Sequence, residues 1–384
     1  MPDALNGAAD RARTWLFETA LPLWLGEGFD GARAPFAERI GEDGKAVHMN
    51  RRLRVQARQT YVCAEAGALG WPGDWRTPLE AGVALLTGSG RRDDCAFVHL
   101  LSPGGEILDR RADLYDHAFA LFALASAAPL LARPDLEAII EDGWQWLDAN
   151  WKHPEGGYRE GEIESADIRR QNPHMHLLEA AMGLHAAFPS SSGLERAREL
   201  ATLFRTRFYD EEHGALPEFF DQQWRRLPDD RGRVTEPGHQ FEWAWLLRRY
   251  ADAAGDDSVR PIAERLIAHG RSNGLDATRG VAINEVWIEG QAKTATARLW
   301  PQTERIKAAV SGLSLNPASE ALEAVAALDG LFRFLDDPVP GAWRDMMEVD
   351  NSLRIEAAPA SSLYHIVCAM AELIRAAENE RGPA

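Results

Sequence analysis

The stretch NPHMHLLEAAMGLHAAF, residues 172–188, reads as one helix with a proline in its first turn and a polar side chain, His176, set in an apolar run. Counting outward from His176, the same arrangement recurs. A polar residue stands in or at the start of an apolar helical stretch at His117 and Arg58 on one side, and at His239, Glu304 and His365 on the other. The gaps are 59, 59, 63, 65 and 61 residues. Such a step is too long for one helix and its loop, since the mean helix has ~11–12 residues. It suits a helical hairpin with its connections. Six hairpins would close into a ring, with alternate helices each directing one polar residue at a central cavity.

The rest of the chain supports an all-α fold of this kind. Helical periodicity is legible over residues 8–25, 53–69, 78–86, 112–131, 134–151, 193–208, 239–254, 259–270, 300–313, 318–335 and 361–377. Residues 214–233, 280–299 and 345–356 read instead as short strands or hairpins. Each precedes one of the spaced polar residues, so these segments are expected to roof one mouth of the ring. A closed ring predicts a single domain over residues 1–384.

Lysine and arginine total 42 against 59 acidic residues, a net charge of −17. That excess disfavours a nucleic-acid partner, which needs a basic footprint, and an anionic membrane surface. A phosphorylated substrate would need a local basic pocket. No run reaches the ~18 consecutive apolar residues of a membrane span. The opening MPDALNGAADRARTW has no apolar core after a basic start, unlike a secretory signal. Cys63, Cys95 and Cys368 form neither a disulfide framework nor a zinc signature. A cytoplasmic protein is expected. The oligomeric state is left open.

Two strings carry His-x-x-Glu at a helix start: Asn172 to Glu179, and Glu236 to Glu242. Residues i and i+3 share a helix face, so Glu179 can reach His176 and Glu242 can reach His239. A carboxylate beside an imidazole sets its tautomer and raises its pKa, which makes a positioned acid or base. Asn172 shares the face of His176. The bland alternative is packed, hydrogen-bonded core histidines. His and Glu on facing helices can hold a dinuclear metal site, but the usual motif runs Glu-x-x-His, the reverse order, in a four-helix pattern that this chain lacks, so no metal ligand set is assigned. Arg58 lies on a face with Arg54 and Tyr61, and a cation in a dry cavity can stabilise a developing oxyanion. Trp300 and Glu304 lie one turn apart, with Trp300 as a candidate cavity wall. Tyr115 and His117 open another helix, and His117 reads equally as a structural hydrogen-bonding group. Nucleotide-binding loops and a nucleophile elbow are absent from the sequence.

These strings resemble the N-acylglucosamine 2-epimerase family, which includes mannose isomerases, sulfoquinovose isomerases and cellobiose 2-epimerases. The matching segments are that around Arg58, LYDHAF from Leu114, NPHMHLLEA from Asn172, EPGHQFEWAWLL from Glu236, LWPQTE from Leu299 and SSLYHI from Ser361. The resemblance implies an (α/α)6 barrel that interconverts sugars through an enediol-type intermediate without metal or redox cofactor. It implies that His239 and His365 are the acid/base pair and that Arg58 stabilises the enediolate. His176, Asn172, Glu242, Trp300 and Glu304, with Glu179, Tyr115 and His117, would serve substrate binding and ring opening. LYDHAF is most like the mannose isomerase branch. The residues before the last histidine segment, 357–360, lack the aromatic of cellobiose 2-epimerases. The expectation is a D-mannose–D-fructose isomerase acting on a free monosaccharide. The alternatives are a sugar 2-epimerase, a binding protein, or a glycoside hydrolase or lyase on the same barrel.

Overall fold

The computed structural model describes residues 2–31, 33–163 and 168–381. The helices, in chain order, begin with α1 (Pro2–Trp15), α2 (Leu21–Leu25), α3 (Leu53–Ala68), α4 (Arg76–Thr87), α5 (Leu114–Leu131), α6 (Leu136–Asn150) and α7 (Asn172–Ala187). They continue with α8 (Gly193–Leu203), α9 (Pro237–Ala254), α10 (Arg260–Gly274), α11 (Trp300–Ser311), α12 (Pro317–Phe332) and α13 (Ala360–Arg381). The odd-numbered helices from α3 to α13 form an inner ring. Each packs on the next, and α13 packs back on α3 to close it. Outside lie α4 on α3, α6 on α5, α8 on α7, α10 on α9, α12 on α11, and α1 on α12 and α13.

The two layers differ in sequence for a physical reason. The outer helix α6 buries Leu136, Ile140, Gly143, Trp144 and Leu147, the 3.6-residue stripe of a helix with one wet face. The inner helix α5 is apolar nearly all round. It is long and apolar enough to cross a membrane, yet 78% of it is buried inside the protein, where it walls the ring.

Inner helices start sharply. Pro173, Pro237 and Pro301 sit in the first turns of α7, α9 and α11, where a missing N–H costs nothing. Asp113 caps α5 by accepting from the N–H groups of Tyr115 and Asp116. Antiparallel ladders of two or three residues stand just ahead of the inner helices, at Arg51–Arg52, Arg169–Arg170, Val234–Thr235, Ala297–Arg298 and Ala358–Pro359. Their partners lie in distant loops: Arg39 faces Pro359 and Arg298 faces Met346. They roof the mouth at the N-terminal ends of the inner helices.

The expected helices are present. The stretch 8–25 runs through a π-helical turn, Leu16–Ala20, between α1 and α2. The expected strand segments each fold back as a short hairpin: Phe220 pairs with Arg226, Glu285 with Thr294, and Met347 with Leu353.

Candidate active site

The first two turns of the inner helices surround a cavity of about 170 Å³. Arg58, Tyr115, Asn172, His176, His239, Glu242, Trp300, Ser361, Ser362 and His365 line it, with Glu236 and Arg298 from the residues just before α9 and α11. The N-terminal ends of helices thus point inward, the end whose dipole favours negative charge.

His239 and His365 flank the Trp300 ring, with centroids 4.9 and 5.8 Å away. Each imidazole is held through Nδ1 by a buried carboxylate. His239 Nδ1 is 2.9 Å from Glu218 Oε2 and 3.8 Å from Glu236 Oε2. The carboxamide of Gln171 donates to the same Glu218 oxygen at 2.9 Å, and Asn172 Nδ2 stands 3.0 Å from His239 Nε2. Burial opposes charge on His239, but Glu218 and Glu236 outweigh it and raise its pKa to about 10. His239 is therefore an imidazolium at neutral pH.

His365 is the opposite case. Its Nδ1 donates to Glu304 Oε1 at 2.9 Å. Burial, and then the positive charges of Arg58 and Lys307, push its pKa well below the usual range. It is neutral, and with the proton on Nδ1 its Nε2 carries a free lone pair.

His176 pairs with Glu179, Nδ1 to Oε2 at 3.3 Å, and Tyr364 donates to the same oxygen. Burial lowers the His176 pKa. Although burial also opposes charge on Glu179, the His176 hydrogen bond and Lys307 hold it ionised, near 2. Arg58 donates to the Tyr115 hydroxyl at 2.6 Å and to the Ser361 carbonyl at 3.1 Å, with its guanidinium 4.2 Å from the Phe119 ring centre. Burial and the neighbouring Glu304 raise Glu242 to about 7, and neither of its oxygens accepts a hydrogen bond among the described residues.

Four expected placements need correction. Glu242 does not pair with His239; it faces Lys307, 3.6 Å away on α11. Glu304 and Glu179 lie behind the cavity wall, each gripping a histidine, rather than in the lining. His117 turns away from the cavity. Its Nε2 accepts from the Phe97 N–H at 3.3 Å, and its ring stacks on Trp146 of α6 at 5.1 Å. A spacing of sixty residues locates a residue along the chain but not its angle around the helix, and α5 presents His117 outward.

Residues not anticipated are Glu218, Gln171, Glu236, Arg298, Ser361 and Lys307. Glu236 stands three residues before His239 and was within reach of the same helix-face argument. Glu218 lies 21 residues before His239, in a roof loop, where no local pattern marks it. Three groups, His176–Glu179–Glu242, Glu218–Glu236–His239 and Glu242–Glu304–His365, bring ligand atoms within 4.8 Å and could hold a cation. In each, the imidazole is already hydrogen-bonded to one of the carboxylates.

Comparison with known proteins makes this a sugar-processing enzyme of the isomerase class. The chain belongs to the N-acylglucosamine 2-epimerase (GlcNAc 2-epimerase) family, whose model matches residues 36–369. It is 40% identical to a mannose-6-phosphate isomerase of Rhizobium meliloti (strain 1021), covering 94% of this chain and 95% of that protein. It is 28% identical to a D-mannose isomerase of Thermobifida fusca, covering 73% and 72%. The cellobiose 2-epimerase of Spirochaeta thermophila DSM 6192 superposes with a TM-score of 0.87 at 20% identity, over 98% of each chain. A D-mannose isomerase structure gives 0.83 at 20%, over 97% of each.

Proposed function

We propose that the whole chain is one catalytic domain that interconverts D-mannose and D-fructose through a cis-enediol(ate), without metal. The observation that carries this reading is the pair of histidines beside Trp300, each held at Nδ1 by a buried carboxylate, in surroundings that raise one pKa and lower the other. Two titratable groups pushed apart by their surroundings mark an acid and a base. The His239 imidazolium gives a proton to the ring oxygen as the cyclic sugar opens, and takes back the O1 hydroxyl proton as the C1 carbonyl forms. Neutral His365 takes the C2 proton through Nε2. Arg58 and His176 stabilise the oxygen that gains charge, helped by the helix N-termini. The O2 hydroxyl proton passes to O1, and His365 returns the carbon proton to C1, giving the ketose. Return to C2 from the opposite face would make the enzyme a 2-epimerase.

The cavity, about 170 Å³, is well below the ~300–1,000 Å³ of sites for drug-sized ligands, which supports a monosaccharide over a disaccharide. A second reading has its own support. Arg298 lines the mouth and its nearest carboxylate, Asp345, is 3.9 Å away, so it could meet a phosphate ester. The 40%-identical relative carries a phosphorylated sugar in its name. The three cysteines are unpaired, in keeping with a cytoplasmic location.

Proton NMR in D2O with D-mannose and D-mannose 6-phosphate in parallel tests the proposal. Ketose carrying deuterium supports the isomerase, and the faster substrate decides between the two readings. Glucose appearing first moves the activity to 2-epimerisation. No exchange with either sugar overturns the proposal.

A further inference from the structure

Lys307 lies one helical turn beyond Glu304 on α11 and has no exposed surface. Among the described residues it is the only buried lysine. Its Nζ is 2.5 Å from Glu304 Oε2 and 3.6 Å from Glu242 Oε1. It rests 3.9 Å from the centre of the Trp245 ring. Glu179 of α7 and both Cys368 and His365 of α13 are the other titratable groups that face it. Three carboxylates from three inner helices thus share one ammonium. A buried ion pair adds little net stability over well-packed apolar groups of similar volume. With three acidic groups around it, Lys307 is the counter-ion that keeps this buried charge compensated.

Glu304 faces two ways. Its Oε1 accepts from His365 Nδ1 at 2.9 Å and from the Thr303 hydroxyl at 3.1 Å. Its Oε2 faces Lys307. Burial, with the neighbouring Glu179, raises the Glu304 pKa even against the pull of Lys307, and without Lys307 the same surroundings would favour the protonated acid. A protonated Glu304 presents a donor to Nδ1 and moves the imidazole proton to Nε2. That tautomer has no lone pair with which to take a proton from carbon.

We propose that Lys307 is a positioning residue: by keeping Glu304 ionised it fixes the His365 tautomer whose Nε2 faces the substrate as a base. The inference rests on the assignment of His365 as that base. Lys307 does not line the cavity, and it sets the tautomer through Glu304 while its charge also disfavours a second proton on His365.

The test is imidazole 15N NMR of His365, with deuterium-exchange kinetics, in wild type, Lys307→Met, Lys307→Arg, Glu304→Gln and the double variant Glu304→Gln/Lys307→Met. The wild type should carry its proton on Nδ1. Lys307→Met should move it to Nε2, lower kcat by about 10²-fold or more, and leave KM within about threefold. Its activity should recover as pH rises and Glu304 ionises, a limb the wild type lacks. Lys307→Arg, which keeps the charge, should keep the wild-type tautomer. In the Glu304→Gln background, Lys307→Met should add no further loss, because the two act in series. A wild-type tautomer and kcat in Lys307→Met overturns the proposal. If Lys307→Met does not fold, the double variant decides: a further loss of more than about tenfold relative to Glu304→Gln overturns it. Should the wild type itself exchange no sugar proton, the functional reading fails, while the tautomer measurement still decides the role of Lys307.

Discussion

Glu218 Oε2 and His239 Nδ1 stand 2.9 Å apart, and the Gln171 carboxamide lies within 3.1 Å of both. The pairing matches that of Glu304 with His365, also at 2.9 Å, yet the two histidines end in opposite states. The difference lies in what else is near. His239 feels three carboxylates, Glu218, Glu236 and Glu242. His365 faces the cations Arg58 and Lys307. A carboxylate on Nδ1 orients both rings, and the surrounding charge chooses which one keeps a second proton.

Glu218→Gln removes the largest attraction holding the His239 proton. The His239 pKa, about 10 in the wild type, should fall toward the free value of ~6.5. Because the protonated form is the one required, activity is lost as pH rises through that value. The alkaline limb of kcat/KM should therefore move down by about one pH unit or more. The stabilisation from this raised pKa is full below pH ~6.5 and is lost as pH climbs toward 10. The Tm gap between wild type and variant should accordingly narrow with rising pH. An unchanged limb would remove His239 as the acid.

His239→Ala and His365→Ala should each lower turnover by about 10²–10⁴-fold with the helical circular dichroism spectrum retained. Only His365→Ala should abolish deuterium exchange at C2 of a sugar supplied in open-chain form. Near-normal turnover in both variants would remove the acid/base pair from the mechanism.

Gly238→Ala probes the wall between the histidines. A Cβ there would fall 2.4 Å from two carbons of the Trp300 ring, which must then shift. KM should rise by about tenfold while Tm changes little, a split visible in steady-state kinetics. Unchanged KM would mean that Trp300 does not border the bound sugar.

His117→Phe should act on stability alone. It leaves the Phe97 N–H buried without an acceptor, at a cost of about 1–3 kcal/mol, and kcat/KM should stay within about twofold. Burial holds His117 near 4, below its unfolded value. Its contribution to stability is present above pH ~6.5 and is lost as pH falls toward 4. Between those limits the variant's Tm should fall less steeply than that of the wild type. A loss of activity comparable to that of His365→Ala would return His117 to the cavity.

Local physics made much of this protein readable from its residues. Apolar periodicity separates helices from loops, prolines mark the starts of α7 and α9, and the i to i+3 rule pairs His176 with Glu179, because each depends on neighbours within one turn. The recurrence of one polar residue per inner helix followed from the hairpin length, and it marked the ring. Tertiary structure alone settled which way each residue points and what it meets. His117 and His176 hold equivalent places in that recurrence, yet a turn of the helix sends one toward Trp146 and the other to the cavity. The partners that set protonation come from afar: Glu218 is 21 residues from His239, and Glu304 is 61 from His365. Electrostatic fields in a buried site sum over everything within a few ångströms, whatever its place in the chain. An acid and a base therefore emerge from two similar histidines only once the ring has closed.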